Sequence, residues 1–194
     1  MTPAPSGEAG DASEDAVSSP ADGQRLAVTG TPGTGKTTAT ERLAGDTDVP
    51  VIHLNDEIRE RGLWSDRDDD RDSLVADIDA VADYLGDWHG ILDSHLAHLL
   101  AADRVVVLRC APDVLESRLR ERGESPTKAR ENAESEALDV ILAAAVDAHG
   151  REAVYEIDTT DRSPAAVADA IRAVREGRRE PSAGDVDFTG YLVG

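Results

Sequence analysis

Residues 30–38 read GTPGTGKTT and satisfy the pattern G-x-x-x-x-G-K-[ST]. Each residue type in that pattern has a chemical task. Gly30, Gly33 and Gly35 let the backbone wrap closely, so that successive N–H groups point at phosphate oxygens. Lys36 brings a positive charge to the β- and γ-phosphates of a nucleotide, and Thr37 offers a hydroxyl to Mg²⁺. A helix starting here would add the partial positive charge of its N-terminus. The chain has only two lysines, Lys36 and Lys128, and one of them occupies this position. The pattern implies ATP and Mg²⁺ as the bound species. It does not choose a reaction, because GTPases, ATPases and small-molecule kinases share the loop. A guanine-reading N-K-x-D string is absent, and 194 residues leave little room for a motor ATPase.

The loop works only if a strand enters it and a helix leaves it. Residues 26–29 read as a buried strand and residues 37–43 as the following helix. Further strands are predicted at residues 49–54, 90–93, 105–108 and 153–157, the run at 105–108 as a central one. Between them, Leu74, Ile78, Val81 and Leu85 recur at helical spacing, and a helix is expected to carry Leu96, Leu99 and Leu100. Pro112 opens a helix with Leu115 and Leu119 on one face. Pro126 opens a long one whose apolar stripe is Leu138, Ile141, Leu142, Ala145 and Val146. Ser163 and Pro164 form the start of a final helix bearing Val167, Ile171 and Val174. Alternating strands and helices imply an α/β fold with a parallel sheet covered on both faces. Residues 1–23, poor in large apolar side chains, predict a disordered acidic tail; 24–178 form the folded domain; 179–194 are expected to be a loose tail.

Forty acidic residues against twenty basic ones give a formal charge of −20. The acidic residues run along the whole chain, so self-repulsion would oppose a compact state at low salt. At about 1 M salt the Debye length is roughly 3 Å and that repulsion is largely screened. A salt-rich cytoplasm, as in halophiles, is therefore expected. A lone cysteine, Cys110, excludes an internal disulfide framework and reads as a small core residue. With no secretory pattern at the N-terminus and no apolar run long enough for a membrane span, a cytoplasmic protein without membrane partners is expected.

Several further strings stand after the loop: HLNDEIRE from His53, ILDSH ending at His95, RLRERG ending at Gly123, and TKARENAESEALD from Thr127. With GTPGTGKTT they resemble the nuclear and archaeal adenylate kinase isoenzyme 6 family over roughly residues 25–174. The resemblance implies a nucleoside monophosphate kinase-like P-loop fold with a parallel five-stranded sheet. It also implies an adenylate kinase (ATP and AMP to two ADP) with ATPase activity and a role in late small-subunit ribosome maturation and rRNA processing. By position, Gly33, Gly35, Lys36, Thr37 and Thr38 would bind ATP, and Arg122 would reach over its phosphates from a lid at about 121–131. The acceptor segment would run from about 53 to 77, with Arg59 as the phosphate-binding candidate.

The chemistry of these residues fits such roles. Asp93 ends an apolar strand beside the loop, where a carboxylate can hold Mg²⁺ through water; the competing reading is a helix N-cap. His95 could orient water or a phosphate oxygen, or be merely structural. Arg59 and Arg122 could neutralise phosphate charge, or be solvated surface arginines among the 18 present. His53, His89, His98 and His149 show no ligand spacing and receive no role. Unlike ordinary adenylate kinases, the chain lacks an arginine-rich lid and a D-G-F-P-R string; its lid offers Arg122, Lys128 and Arg130. A small lid excludes water poorly, so modest transfer and leakage to water are expected. Two further readings stand beside this one: a kinase for another small anionic acceptor, and an ATP-driven assembly switch. The expected partner is a basic small-subunit ribosomal protein rather than naked RNA, because so acidic a surface repels a phosphate backbone.

Overall fold

The computed structural model describes residues 23–46, 48–68 and 73–193. In chain order it forms β1 (Arg25–Thr29), α1 (Lys36–Asp46), β2 (Val51–His53), α2 (Leu54–Arg61), β3 (Trp64–Asp68), β4 (Ser73–Ala76) and α3 (Ile78–Leu85). There follow β5 (Gly90–Asp93), β6 (Arg104–Arg109), α4 (Pro112–Glu121), α5 (Pro126–Ala137), α6 (Val140–His149), β7 (Val154–Asp158) and α7 (Pro164–Arg175). Five of the strands form one parallel sheet in the order β2-β5-β1-β6-β7. The order puts β1, which feeds the phosphate loop, in the middle of the sheet, with β5 and β6 on its two sides.

Alternate residues of β1 face opposite ways and enter different cores. Leu26 and Val28 pack with Ala39 and Leu43 of α1 and with Val167, Ile171 and Val174 of α7. Ala27 packs on the other face with Leu54, Ile58, Val81, Leu142 and Ala145. A third cluster, Cys110, Leu115, Leu119 and Ala129, holds α4 against α5 beside the loop. Cys110 is buried, as its type suggested. Ser163 caps α7 by accepting from Ala166 N at 3.2 Å. No helix among the described residues is long and apolar enough to cross a membrane.

Several expectations are corrected. The long helix after Pro126 is two helices: Asp139 adopts φ 56° and separates α5 from α6. Leu138 leaves the apolar stripe and is 59% exposed. Leu74 lies on β4 rather than on the helix with Ile78, which begins only after Asp77 caps it through Ala80 N. An antiparallel hairpin of β3 and β4 was not foreseen. The helix expected around Leu96 and Leu99 is a single 3-10 turn, Ala97–Leu99.

The C-terminal segment is not loose. Ser182 N donates to Val154 O at 3.1 Å, Arg179 Nη2 to Glu156 O at 2.8 Å, and Ala183 is buried. The N-terminal tail expected over residues 1–23 lies outside the described residues except for Gly23.

Candidate functional site

The strand-to-helix turn at 30–36 has the wrap that its glycines allow: φ is 140° at Gly30, 94° at Gly33 and 91° at Gly35. At Gly30 the requirement is also steric, because a Cβ there would stand 2.4 Å from Leu108 O of β6. Lys36 opens α1 and is buried, its Nζ donating to Gly30 O at 2.8 Å and Thr31 O at 3.1 Å. Burial lowers its pKa to about 8, against the opposing pull of Asp93 and Glu136. Thr37 and Thr38 follow on the exposed side of the first turn. Both line a cleft of about 460 Å³ together with Pro32, Gly33, Gly35 and Lys36.

The opposite wall of the cleft comes from the segment after β2. On α2, Asn55, Ile58 and Arg59 stand at i, i+3 and i+4, one helix face, and all three line the cleft. Leu74 and Ala76 of β4 add apolar surface beside them. Arg59 is mostly exposed and weakly tied to Asp56, with Nη1 and Oδ1 3.4 Å apart. Arg122, at the C-terminal end of α4, and Lys128, on the first turn of α5, close the cleft from the lid side. Asn132, one turn beyond Lys128, joins them and donates Nδ2 to Lys128 O at 2.7 Å. Arg130, the other cation of the expected lid, faces away and pairs with Glu134.

Asp93 ends β5, the strand beside β1, and is 4% exposed. It is not a helix cap: its Oδ2 accepts from Thr40 Oγ1 at 3.2 Å and lies 3.1 Å from His53 Nδ1. His95 lines the cleft. Burial, then Lys36, His98 and Arg59, lower its pKa to about 4, so the imidazole is neutral near pH 7. Among the described residues no group of three acidic, histidine or cysteine side chains could hold a metal by itself. The oxygens of Thr37 and Asp93 nonetheless suit Mg²⁺, which takes few protein ligands and completes its shell with phosphates and water.

The fold thus gathers the loop, Arg59, His95 and Arg122 around one cleft, with Asp93 on the strand beside β1. Sequence reasoning missed Asn55, Asn132 and His53. The spacing of Asn55 to Arg59, and of Lys128 to Asn132, was the signal for the first two. His53 carried none, because its partner is set by strand register: His53 and Asp93 are paired residues of β2 and β5.

Residues 26–139 match the family described as "AAA domain". A "Putative adenylate kinase" of Natronomonas pharaonis is 63% identical over 169 residues, covering 87% of this chain and 99% of the relative. Its namesake in Halobacterium salinarum is 61% identical with the same coverage, and that of Methanothermobacter thermautotrophicus is 44% identical, also over 87% and 99%. Among solved structures, a shikimate kinase from Bacteroides thetaiotaomicron superposes with a TM-score of 0.54 at 20% identity, over 80% of this chain and 98% of that one. A gluconokinase from Sinorhizobium meliloti gives 0.51 at 17%, over 81% and 93%. These two likenesses speak for the kinase-type P-loop fold alone.

Proposed function

This chain belongs to the AAA domain family and to the family of its archaeal adenylate kinase relatives, and on that premise we propose that it transfers the γ-phosphate of ATP to AMP. The observation that carries the reading is one cleft of about 460 Å³ with the phosphate loop at one side and Arg59 on the facing helix. That arrangement suits two anionic substrates brought end to end.

Lys36 and the loop N–H groups would grip the β- and γ-phosphates of ATP, with Gly30, Gly33, Gly35, Thr37 and Thr38 shaping the cradle. Arg59 would hold the phosphate of AMP, and Ile58, Leu74 and Ala76 would pack on its base. An AMP phosphate oxygen attacks the γ-phosphorus, the bond to the β-phosphate oxygen breaks, and two ADP result. Arg122 would balance charge on the transferring group. Thr37 directly and Asp93 through water would hold Mg²⁺, which neutralises phosphate charge when bound. Neutral His95 can donate or accept one hydrogen bond at this place, to a phosphate oxygen or to water.

With Arg122 and Lys128 as the cations on the lid side of the cleft, water reaches the γ-phosphate readily, so ATP hydrolysis accompanies transfer. We place the protein in a salt-rich cytoplasm, from its charge of −20. The same charge and the family resemblance support a role in late small-subunit maturation, with a basic ribosomal protein as partner and no grip on naked RNA.

The test is ADP formation in molar KCl, with and without AMP, for the unmodified protein and for Lys36→Ala. AMP-dependent ADP formation that vanishes in the variant supports the proposal. ATP consumption indifferent to AMP would favour an assembly switch, and stimulation only by another anionic acceptor would favour a different small-molecule kinase.

A further inference from the structure

Behind the phosphate loop lies a cluster of charges that the transfer chemistry does not use. Arg109, Glu136 and Glu156 are each at most 3% exposed. Arg109 Nε donates to Glu136 Oε1 at 2.7 Å, its Nη1 to Glu156, and its Nη2 to Asp139 and to Glu136 O at 3.1 Å. Glu136 Oε1 also accepts from Cys110 N at 3.2 Å. Its second oxygen, Oε2, accepts from the hydroxyl of Thr31, inside the phosphate loop and 105 residues away in sequence. A buried ion cluster is poor evidence of stability in itself, since apolar residues of equal volume often serve as well. What Glu136 holds in place is the more informative question.

Thr31 is held at both of its oxygens. Its hydroxyl is fixed by Glu136, and its carbonyl receives Lys36 Nζ at 3.1 Å. That carbonyl also accepts from Thr34 N at 3.2 Å and Thr34 Oγ1 at 2.9 Å, which are bonds within the loop, so Glu136 is the tie that fixes this part of the loop to the rest of the domain. Glu136 in turn ends a row on α5. Lys128, Asn132 and Glu136 follow at intervals of four and share one helix face. The first two line the cleft, and the third reaches the loop from behind.

We infer that Glu136 is a positioning residue for the ATP side of the site. Through Thr31 it sets the phosphate loop, and through α5 it holds Lys128 and Asn132 in fixed relation to that loop. The acceptor side, built on α2 and β4, has no bond to this cluster among the described residues. Its affinity is set independently.

The inference rests on ATP being the ligand of the loop, and its test reads ATP binding directly, by calorimetry on the full chain in molar KCl. Thr31→Val keeps the shape of the side chain and removes the hydroxyl. It should weaken ATP binding and raise the KM for ATP about tenfold, the effect of one hydrogen bond to a charged acceptor, with the KM for AMP within about twofold. Thr31→Ser, which restores the hydroxyl, should return ATP affinity to within about twofold of the original. Glu136→Ala should act in the same direction, and adding Thr31→Val to it should change little further, because the bond that Thr31→Val removes is already lost with the carboxylate. If Glu136→Ala does not fold, the two threonine variants decide alone. Unchanged ATP affinity in Thr31→Val, equal losses for ATP and AMP, or failure of Thr31→Ser to rescue would overturn the inference. No ATP binding by the unmodified protein would overturn the proposed function itself.

Discussion

His53 Nδ1 stands 3.1 Å from Asp93 Oδ2, at paired positions on adjacent parallel strands. The same oxygen accepts from the Thr40 hydroxyl, 3.2 Å away. With Thr40 anchoring it to α1, Asp93 has a fixed rotamer. Asp93→Asn keeps the shape and removes the charge. It should lower turnover by about 10²-fold and raise the Mg²⁺ concentration for half-maximal rate. His53→Ala leaves the charge and the Thr40 bond and removes only one of the two contacts that hold the carboxylate, so its loss should be about tenfold or less. The check is a Mg²⁺ titration of both variants at saturating ATP; a larger loss in His53→Ala than in Asp93→Asn would reject the assignment.

Arg59 and Arg122 stand on different walls of the cleft, α2 and the end of α4. Arg59→Ala should raise the KM for AMP about tenfold or more and leave that for ATP nearly unchanged. Arg122→Ala should chiefly lower kcat, since its charge is needed as the phosphoryl group moves. Steady-state kinetics with each substrate varied in turn separates the two. Identical patterns in both variants would show that the walls do not divide the substrates in this way.

His98 is 5% exposed and sits 3.0 Å from Thr29 Oγ1, just before the phosphate loop, with its carbonyl bonded to His149. Burial, and then the neighbouring His149, push its pKa below the ordinary value of 6.5. The unfolded chain therefore takes up this proton first as pH falls. Stability tied to neutral His98 is whole above about pH 6.5 and is lost as pH drops toward the folded value. Urea unfolding at pH 7.5 and pH 5.5 should show a smaller pH-dependent loss in His98→Asn than in the unmodified protein. An equal loss in both would mean that His98 is protonated alike in the two states.

A charge of −20 on 194 residues should make folding depend on salt. The Tm should rise by at least about 10 °C between 0.1 M and 3 M KCl, as the Debye length shrinks from about 10 Å to below about 3 Å. Local pairs such as Arg61 with Glu57 and Arg172 with Asp46 lose little of note in this change, because exposed pairs contribute little at any salt. Circular dichroism melts across the series give the answer, and a flat or falling Tm contradicts the salt-rich setting.

The parts of the fold that were legible in the sequence are those with a local cause. Continuous apolar runs announced the strands at Gly90–Asp93 and Arg104–Arg109, and Ser163 with Pro164 announced the start of α7. The break at Asp139 was invisible because no glycine or proline marks it. A left-handed aspartate costs on the order of 1 kcal/mol, and it is held by the buried guanidinium of Arg109, 30 residues earlier in the chain. The hairpin strand Ser73–Ala76 is too short to display alternation, and its partner Trp64–Asp68 is too polar to suggest a strand. The C-terminal segment looked loose because its composition is polar, yet several of its anchors are backbone groups. Asp185 N and Val186 N donate to Glu156 Oε2 at 2.8 and 3.4 Å, and backbone donors leave no trace in composition. Of the site, the loop was readable as a motif, whereas the support of Asp93 by His53 depended on strand register.

That docking of the C-terminal segment also bears on how the protein is made. Synthesis delivers the members of the buried cluster in order: Thr31, then Arg109, then Glu136 and Asp139, then Glu156, and finally the backbone donors of residues 184–186. At roughly 5–20 residues per second, seconds pass between the appearance of Arg109 and that of the residues that close around Glu156. During that interval the guanidinium has no finished site to enter, and the loop that should bind ATP lacks its full backing. The nucleotide pocket should therefore mature late in translation even though its signature motif emerges early. A nascent chain stalled before Glu156 should carry the complete phosphate-binding string and still hold ATP weakly.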